Sequence, residues 1–307
     1  MSALDSVIQY FDLYSDVRPG RWAIASDTGT PPTTEISSTT KLLPQALQSL
    51  HHPPRRQRYH INHTLVTSCY NHEMDKADRP EKPQHLSEYA LLCLEALSRS
   101  GLADRLSLGG AVGLMHYYEY RTTHDVDAWW MHTTNQHERQ GIVSVLEKTL
   151  APFGEVRTRK WGEVVSIELR QEGKAVFSFQ IAERSVLLKT PGPSPWPGIL
   201  LDDLSDLVAS KMTALVERGA PRDFLDIYHL CKQGMMTPET CWGLWQMRQE
   251  TTEGESDLNR ASLAVQLHLE RIEMHRPLSQ IDGLNERESA NQLRRWFRRE
   301  FLNVERD

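Results

Sequence analysis

Between residues 85 and 198, some segments repeat their apolar residues every three to four positions, as helices do, and others at every second position, as strands do. The spacing predicts a helix that starts after Ser87 and a second helix in QHERQGIVSVLEKTLAPFG. The runs VVSIELR and AVFSFQIA, joined by the turn QEGK, predict a β-hairpin. Two further strands are predicted, in LSL before a glycine turn and in HDVDAWW, with the helix AVGLMHYY between them. These elements together predict a mixed α/β block.

Two other parts of the chain have different patterns. Residues 1–84 are rich in proline, threonine, serine and histidine, and we predict that they are poorly ordered or loosely attached. Residues 199–307 are predicted to be almost entirely helical, and the proline-rich stretch PGPSPWPG is predicted to link them to the α/β block of residues 85–198. Regular patterning begins just after Met74, which is therefore a candidate alternative translation start.

Composition adds the class of protein and its expected compartment. With 39% hydrophobic and 25% charged residues, the 307-residue chain is expected to be globular rather than disordered. No apolar run approaches the roughly 18 residues that a membrane helix needs, so no membrane partner is expected. The four cysteines are scattered without a close pair, which is typical of reduced thiols in a cytoplasmic protein. The net charge of −6 indicates no broad nucleic-acid-binding surface, so such contact would need a local basic patch.

The stretch RTTHDVDAWW carries the first candidate site. Asp125 and Asp127 lie two residues apart in a predicted strand and therefore point to the same face, where their charges repel. A divalent cation such as Mg²⁺ would relieve the repulsion and clamp nucleotide phosphates, although two solvated acids at a strand end explain the pair equally well. The turn Gly109–Gly110, one helix earlier, favours the metal because glycine lets backbone N–H groups approach a phosphate. Thr123 is a candidate either for phosphate contact or for capping the strand.

A lysine on an apolar helix stripe carries the second candidate site. Lys211 lies in line with the leucines of DDLSDLVASKMTALVERG, and a buried lysine needs a partner. Its ammonium either extends to the rim of the core or faces an anion such as a carboxylate or a triphosphate. We favour the anion, because Asp223 and Asp226 follow on one face of the next predicted helix. Asp226 is expected to pair with Lys211 or with Arg222.

Taken together, the motifs LGGAVGL, RTTHDVDAWW, DDLSDLVASKMTALVERG and RDFLDIYHL resemble those of the nucleotidyltransferase AbiEii/AbiGii toxin family. The resemblance covers roughly residues 86–235. It implies an α+β fold, in which a polymerase-β-like nucleotidyltransferase core with a mixed sheet is followed by a helical C-terminal domain. Members of this family are typically toxins of bacterial toxin–antitoxin or phage-defence systems, and some transfer nucleotides to tRNA acceptor ends.

The resemblance also implies roles for individual residues. Asp125 and Asp127 would hold Mg²⁺ and would be catalytic together with Lys211 and Asp226. The expected reaction moves a nucleotidyl group from an NTP to an acceptor, RNA (tRNA) being the expected one, and an antitoxin protein is an expected partner. The residues assigned to nucleotide binding are Gly109, Gly110, Thr123, Lys211, Arg222 and Asp223.

One departure from the pattern leaves a second interpretation open. Folds of this kind often carry a third carboxylate on a neighbouring strand, but Gln180 occupies the place where we expect it. Glutamine is neither a base nor a charged metal ligand. Glu168 and Glu183 are possible substitutes that the sequence alone does not place. The alternative function is therefore a catalytically degenerate protein that binds nucleotide or a protein partner without turnover.

The C-terminal run NQLRRWFRREFLN also has two interpretations. We favour an amphipathic closing helix with a solvated arginine face. The other interpretation is an RNA-backbone contact, which would use Arg294, Arg295, Arg298 and Arg299.

Overall fold

The computed structural model describes residues 79–304. Most of the predicted N-terminal segment 1–84, and with it the candidate start at Met74, falls on residues 1–78 and lies outside the described residues. The predicted domain boundaries at 84/85 and 198/199 stay predictions.

The described residues form an α+β fold around a seven-stranded mixed sheet, as expected. In chain order the strands are β1 (Leu106–Leu108), β2 (Asp125–Trp130), β3 (Glu155–Trp161), β4 (Val164–Gln171), β5 (Lys174–Ala182), β6 (Gly192–Pro193) and β7 (Leu200–Leu201). Their spatial order is β3-β4-β5-β2-β1-β7-β6. The β2–β5 and β1–β7 pairs are parallel and the other pairs antiparallel. Strand β2 therefore lies at the centre of the sheet.

The two faces of the sheet differ in polarity because side chains alternate along each strand. Val126, Ala128 and Trp130 of β2 are buried in one core with the apolar residues of β4 and β5. Asp125 and Asp127 lie on the opposite face, where the parallel register pairs them with Ser178 and Gln180 of β5. The candidate acids therefore lie on the polar face of the central strand.

Helices cover the apolar face and form the C-terminal half. Helix α1 (Glu88–Arg99) is capped by the Ser87 side chain, which accepts from the Ala90 amide, and α3 (Gln136–Leu150) begins with a capping box between Asn135 and Glu138. Leucines of α1 and α3 fill the sheet core. The remaining α-helices are α2 (Gly110–Met115), α4 (Leu204–Glu217), α5 (Pro221–Lys232), α6 (Pro238–Thr251), α7 (Leu258–His275) and α8 (Leu284–Trp296), and α8 continues into a π-helical turn, Phe297–Phe301.

The C-terminal helices share a second apolar core, and the predicted closing helix is part of it. Trp296, Phe297 and Phe301 are buried, and Phe297 contacts Phe224 of α5 edge-to-face at 4.8 Å. Arg294 is also buried, and its guanidinium donates to the carbonyl of Arg276 at 2.8 Å. The closing helix is therefore confirmed, but the expected solvated arginine face is wrong for Arg294, which is held inside the protein by this contact.

The structure corrects the expected elements in three places, one of which is β7, a strand in the part that was predicted to be almost entirely helical. The strand β3 was not predicted, because it is exposed along most of its length and EVRTRKW has no apolar alternation to reveal it. The proline-rich stretch is more than a linker, since it contributes β6 to the sheet and buries Trp196. The Trp196 indole N–H donates to Nε2 of His116 at 2.9 Å, while Nδ1 of His116 lies 2.7 Å from the Val112 carbonyl.

The described end of the N-terminal segment is attached to the fold. The Glu81 amide donates to the His116 carbonyl at 2.8 Å, and the Gln84 amide donates to the Glu119 carboxylate at 3.0 Å. A bilayer-spanning helix is absent from residues 79–304, since no helix there combines the length and the hydropathy that a span requires.

Candidate active site

The glycine turn lies directly on the polar face of β2. The Gly109 amide donates to the Asp127 carbonyl at 2.9 Å, and Gly110 has a φ of +55°, which favours glycine. A Cβ at Gly109 would lie 2.3 Å from Nε1 of Trp129, and a Cβ at Gly110 would lie 2.1 Å from Oδ2 of Asp127. The structure thus brings the predicted turn and the predicted acid into contact, with no room for a side chain between them.

The Gly109 amide is already used by the sheet, which limits what the turn offers a ligand. Gly110 and Ala111 are the first residues of α2, where N–H groups have no intrahelical acceptor. The backbone N–H groups of Gly110 and Ala111 therefore remain for a phosphate at this turn, beside the Asp127 carboxylate.

Strand β5 supplies neutral neighbours to the two acids. The Ser178 hydroxyl donates to Oδ1 of Asp125 at 2.7 Å, and Nε2 of Gln180 lies 3.5 Å from the Ser178 hydroxyl oxygen. Gln180 is paired in register with Asp127, so it occupies the neighbouring-strand position where a third carboxylate was sought. Glu168 lies one strand farther away and pairs with Arg159 and Arg170 instead.

Thr123 has the capping role that the sequence left open. Its hydroxyl oxygen lies 3.3 Å from both the amide nitrogen and the carbonyl oxygen of Asp125, at the first residue of β2. The side chain is buried, so it stabilises the start of the strand that carries both acids.

Asp226 is the buried centre of a charge cluster. Its Oδ1 accepts from the Tyr120 hydroxyl at 2.6 Å and from Nε of Arg121 at 2.8 Å, and its Oδ2 lies 2.7 Å from Nζ of Lys211. The Asp226 side chain is 0% exposed, whereas that of Lys211 is 12% exposed. Burial alone would raise the pKa of Asp226, but Arg121 and Lys211 outweigh it and hold that pKa well below its ordinary value. Asp226 is therefore an ionised anchor for two cations.

Asp223 forms a related pair one helical turn earlier. Arg218 donates from Nε and from one terminal nitrogen to the two Asp223 oxygens, at 2.9 and 3.1 Å, and Lys211 lies 3.9 Å from Oδ1. The Asp223 side chain is fully buried, but that of Arg218 is 57% exposed. Arg222 lies beside Asp223 in the first turn of α5 and is partly exposed.

The acids of β2 and the charged residues around Asp223 and Asp226 interact electrostatically and form one site. Burial raises the pKa of Asp127, and Asp125 adds to the rise, while the positive charges of Lys211, Arg218 and Arg121 oppose it. The three cations anchored by the carboxylates of α5 therefore act on the acid beside the glycine turn. The two motifs, separate in sequence, meet at one place in the fold.

The oxygen donors at Asp125 and Asp127 fit a magnesium ion that arrives with a nucleotide. Within residues 79–304, no group of three or more Asp, Glu, His or Cys is arranged to hold a metal ion by itself. Mg²⁺ in nucleotide sites is usually bound by one or two carboxylates, water and the substrate's phosphates, so a complete protein cage is not needed. The absence of a side chain at Gly110 leaves the room that the Asp127 carboxylate occupies on this face.

Four residues of this site were not assigned to it from the sequence. Tyr120, Arg121 and Arg218 bind the carboxylates of α5, and Ser178 binds Asp125. The sequence signal for the two arginines was their place in the quoted motifs, since Arg121 opens RTTHDVDAWW and Arg218 lies near the end of DDLSDLVASKMTALVERG. That pattern marks the positions but does not name their partners.

A protein-family model described as Nucleotidyl transferase AbiEii toxin, Type IV TA system, matches residues 92–301. The matched range is more than half of the chain and contains every residue of the site. No curated protein matches the chain.

Proposed function

Because the chain belongs to the AbiEii family of nucleotidyl transferase toxins of type IV toxin–antitoxin systems, we propose that it moves a nucleotidyl group from an NTP to an RNA acceptor. The observation that carries this proposal is the meeting of two same-face carboxylates, a side-chain-free glycine turn and three anchored cations at one place. A triphosphate needs that combination of metal ligands, close backbone approach and positive charge.

Asp125 and Asp127 are proposed to hold Mg²⁺, which would offset the negative charge of the triphosphate. Ser178 orients Asp125 through its hydroxyl, and the glycine turn lies against the Asp127 carboxylate. The amides of Gly110 and Ala111 are proposed to donate to the phosphates, since the fold leaves both without an intrahelical acceptor.

Lys211 is proposed to bind the phosphates with its ammonium, and Arg218 adds an exposed guanidinium nearby. Asp226 and Asp223 are positioning residues in this arrangement, because both are buried and each holds a cation. Preorganised cations of this kind stabilise the charge that develops during phosphoryl transfer without having to reorganise. Thr123 acts through the start of β2, and Arg222 stays a candidate for nucleotide contact at the partly exposed first turn of α5.

The acceptor, the biological role, the partner and the location of the protein are proposed as well. A tRNA end as acceptor, a role in phage defence, an antitoxin that contacts this chain and a cytoplasmic location are proposed from the family resemblance. The toxin–antitoxin assignment of the family supports an antitoxin partner.

The proposal is tested by following transfer of a radiolabelled nucleotide from each NTP to total tRNA in the presence of Mg²⁺. Asp127→Asn and Lys211→Met should each reduce the rate at least about 100-fold, a loss typical of removing a preorganised charge-stabilising group. Asp282→Asn is the matched control, since it makes the same change as Asp127→Asn at an exposed acid in the loop before α8 and should leave the rate unchanged. Full activity in both site variants would refute this mechanism.

Gln180 beside Asp127 favours a second candidate function, a nucleotide-binding protein without turnover. Calorimetry with NTP and Mg²⁺, run beside the product assay, separates the two. Binding that Asp127→Asn abolishes, with no product from the wild-type protein, would establish the second candidate.

A further inference from the structure

Two rows of side chains cross the sheet from the candidate acids to its exposed edge. In register, Asp127 pairs with Gln180, Gln180 with Ser166, and Ser166 with Arg159 of β3. Paired residues on neighbouring strands point to the same face, so Arg159 lies on the face that carries Asp127. Three strand spacings separate them, or about 14 Å at the usual spacing between strands.

The second row reaches the same edge from Asp125. It passes through Ser178 and Glu168 to Arg157. Trp161 ends β3 on this face as well, because it is an even number of residues from both arginines. The two acids are therefore joined by a continuous polar face to two arginines and an indole at the edge of the sheet.

The edge residues are exposed and only weakly held. The side chains of Arg157 and Arg159 are 47% and 48% exposed, and Trp161 is 45% exposed. Arg157 lies 3.4 Å from Glu155, and Arg159 lies 3.7 Å from Glu168. Exposed ion pairs at such distances contribute little stability, so both guanidinium groups are available to a stronger anion.

We propose that Arg157, Arg159 and Trp161 bind the single-stranded RNA next to its reacting end, so that the strand crosses the sheet from β3 to the acids. This inference rests on the proposed function for the choice of RNA as acceptor. Guanidinium groups suit phosphates, and an exposed indole suits stacking with an unpaired base. An acidic chain needs a local basic patch to bind RNA, and this one is continuous with the candidate active site.

Charged residues on an edge strand have another common role, which is to prevent pairing with a second sheet. For that role the face does not matter, and Lys160 on the opposite face of β3 would serve as well as Arg159. If the edge binds RNA, only substitutions of Arg157, Arg159 and Trp161, on the face that carries the acids, should weaken RNA binding. Neighbouring residues of one strand thus provide a matched pair of variants.

The test measures binding of a fluorescein-labelled single-stranded RNA oligonucleotide by anisotropy at several salt concentrations. Arg159→Ala should weaken binding several-fold and lower the slope of log affinity against log salt by about one, as expected for one lost phosphate contact. Trp161→Ala should weaken binding at least about fivefold with little change in the slope. Lys160→Ala, the matched control, should change neither quantity.

Binding and transfer are measured separately, so the two proposals fail in different ways. If Arg159→Ala and Trp161→Ala bind RNA as the wild-type protein does, or if Lys160→Ala weakens binding equally, the edge site is wrong even where transfer occurs. If the wild-type protein binds no RNA, the edge site is likewise overturned. If the wild-type protein binds RNA but transfers no nucleotide, and only Arg159→Ala and Trp161→Ala weaken the binding, the edge site stands and the proposed function fails.

Discussion

The two buried carboxylates of α5 should differ sharply in their contribution to stability, although they lie on the same helix one turn apart. Asp226→Asn removes the negative charge that faces Arg121 and Lys211, whose side chains are only 6% and 12% exposed. Asp223→Asn removes a charge whose main partner, Arg218, is 57% exposed. Water can solvate Arg218 after the change, but it reaches Arg121 and Lys211 far less.

The expected magnitudes follow from these exposures. Removing one partner of a buried ion pair typically costs about 3–5 kcal/mol, because the other charge is left uncompensated. We expect Asp226→Asn to lower the free energy of unfolding by that amount. For Asp223→Asn we expect about 1–2 kcal/mol, between the values for an exposed ion pair and for a hydrogen bond to a charged group.

Urea unfolding followed by circular dichroism measures both changes, with equal m-values as the check that the unfolded states are comparable. Because the pKa of Asp226 is depressed in the fold, its contribution is fully present above the unfolded value of about 3.9 and is lost only as pH falls below it. The wild-type and Asp226→Asn proteins should therefore differ by the same amount from pH 8 to pH 5. An Asp223→Asn variant as unstable as Asp226→Asn would refute the argument from cation burial.

Two further predictions concern the glycine turn and a buried histidine. Gly110→Ala and Gly162→Ala each place a Cβ at a φ of +55°, which costs about 1–2 kcal/mol, but only the Cβ at residue 110 would meet Asp127. Gly110→Ala alone should therefore abolish transfer. Equal activities of the two variants would show that the close contact is unimportant. Burial lowers the pKa of His116, so this histidine takes up a proton in the unfolded chain before it does in the fold, and the free energy of unfolding falls as pH drops below about 6.5. His116→Gln should reduce the fall in unfolding free energy that urea titrations measure between pH 7 and 5.5. An unchanged fall would contradict a neutral His116 ring that accepts from Trp196.

Local patterns were enough to predict the elements whose apolar faces are buried. Helices α1 and α3 and the β4–β5 hairpin have strong periodicity, and the structure confirms them. The same physics explains why β3 was missed, since an edge strand exposed along most of its length has little apolar face to reveal. The burial of Trp196 was missed because the prolines around it predict a linker, whereas it packs into the sheet core and bonds to His116, which is 80 residues away in sequence.

The candidate site could be predicted from the sequence only in part. Alternation along a strand was sufficient to put Asp125 and Asp127 on one face, and the apolar stripe was sufficient to give Lys211 an anionic partner. No local pattern could show that Arg121 is the other partner of Asp226. That contact depends on how the sheet and the helices dock, which is a property of the whole fold.

The ion pair between Arg121 and Asp226 joins positions that are 105 residues apart, and this separation governs when the site can form during synthesis. The strands of the sheet are complete at residue 201, and α5 emerges from the ribosome only afterwards. A nascent chain that ends before α5 carries both acids of β2 but leaves Arg121 without its buried carboxylate and Lys211 without its anchor. The arrangement proposed for transfer therefore assembles late, when most of the chain has been made.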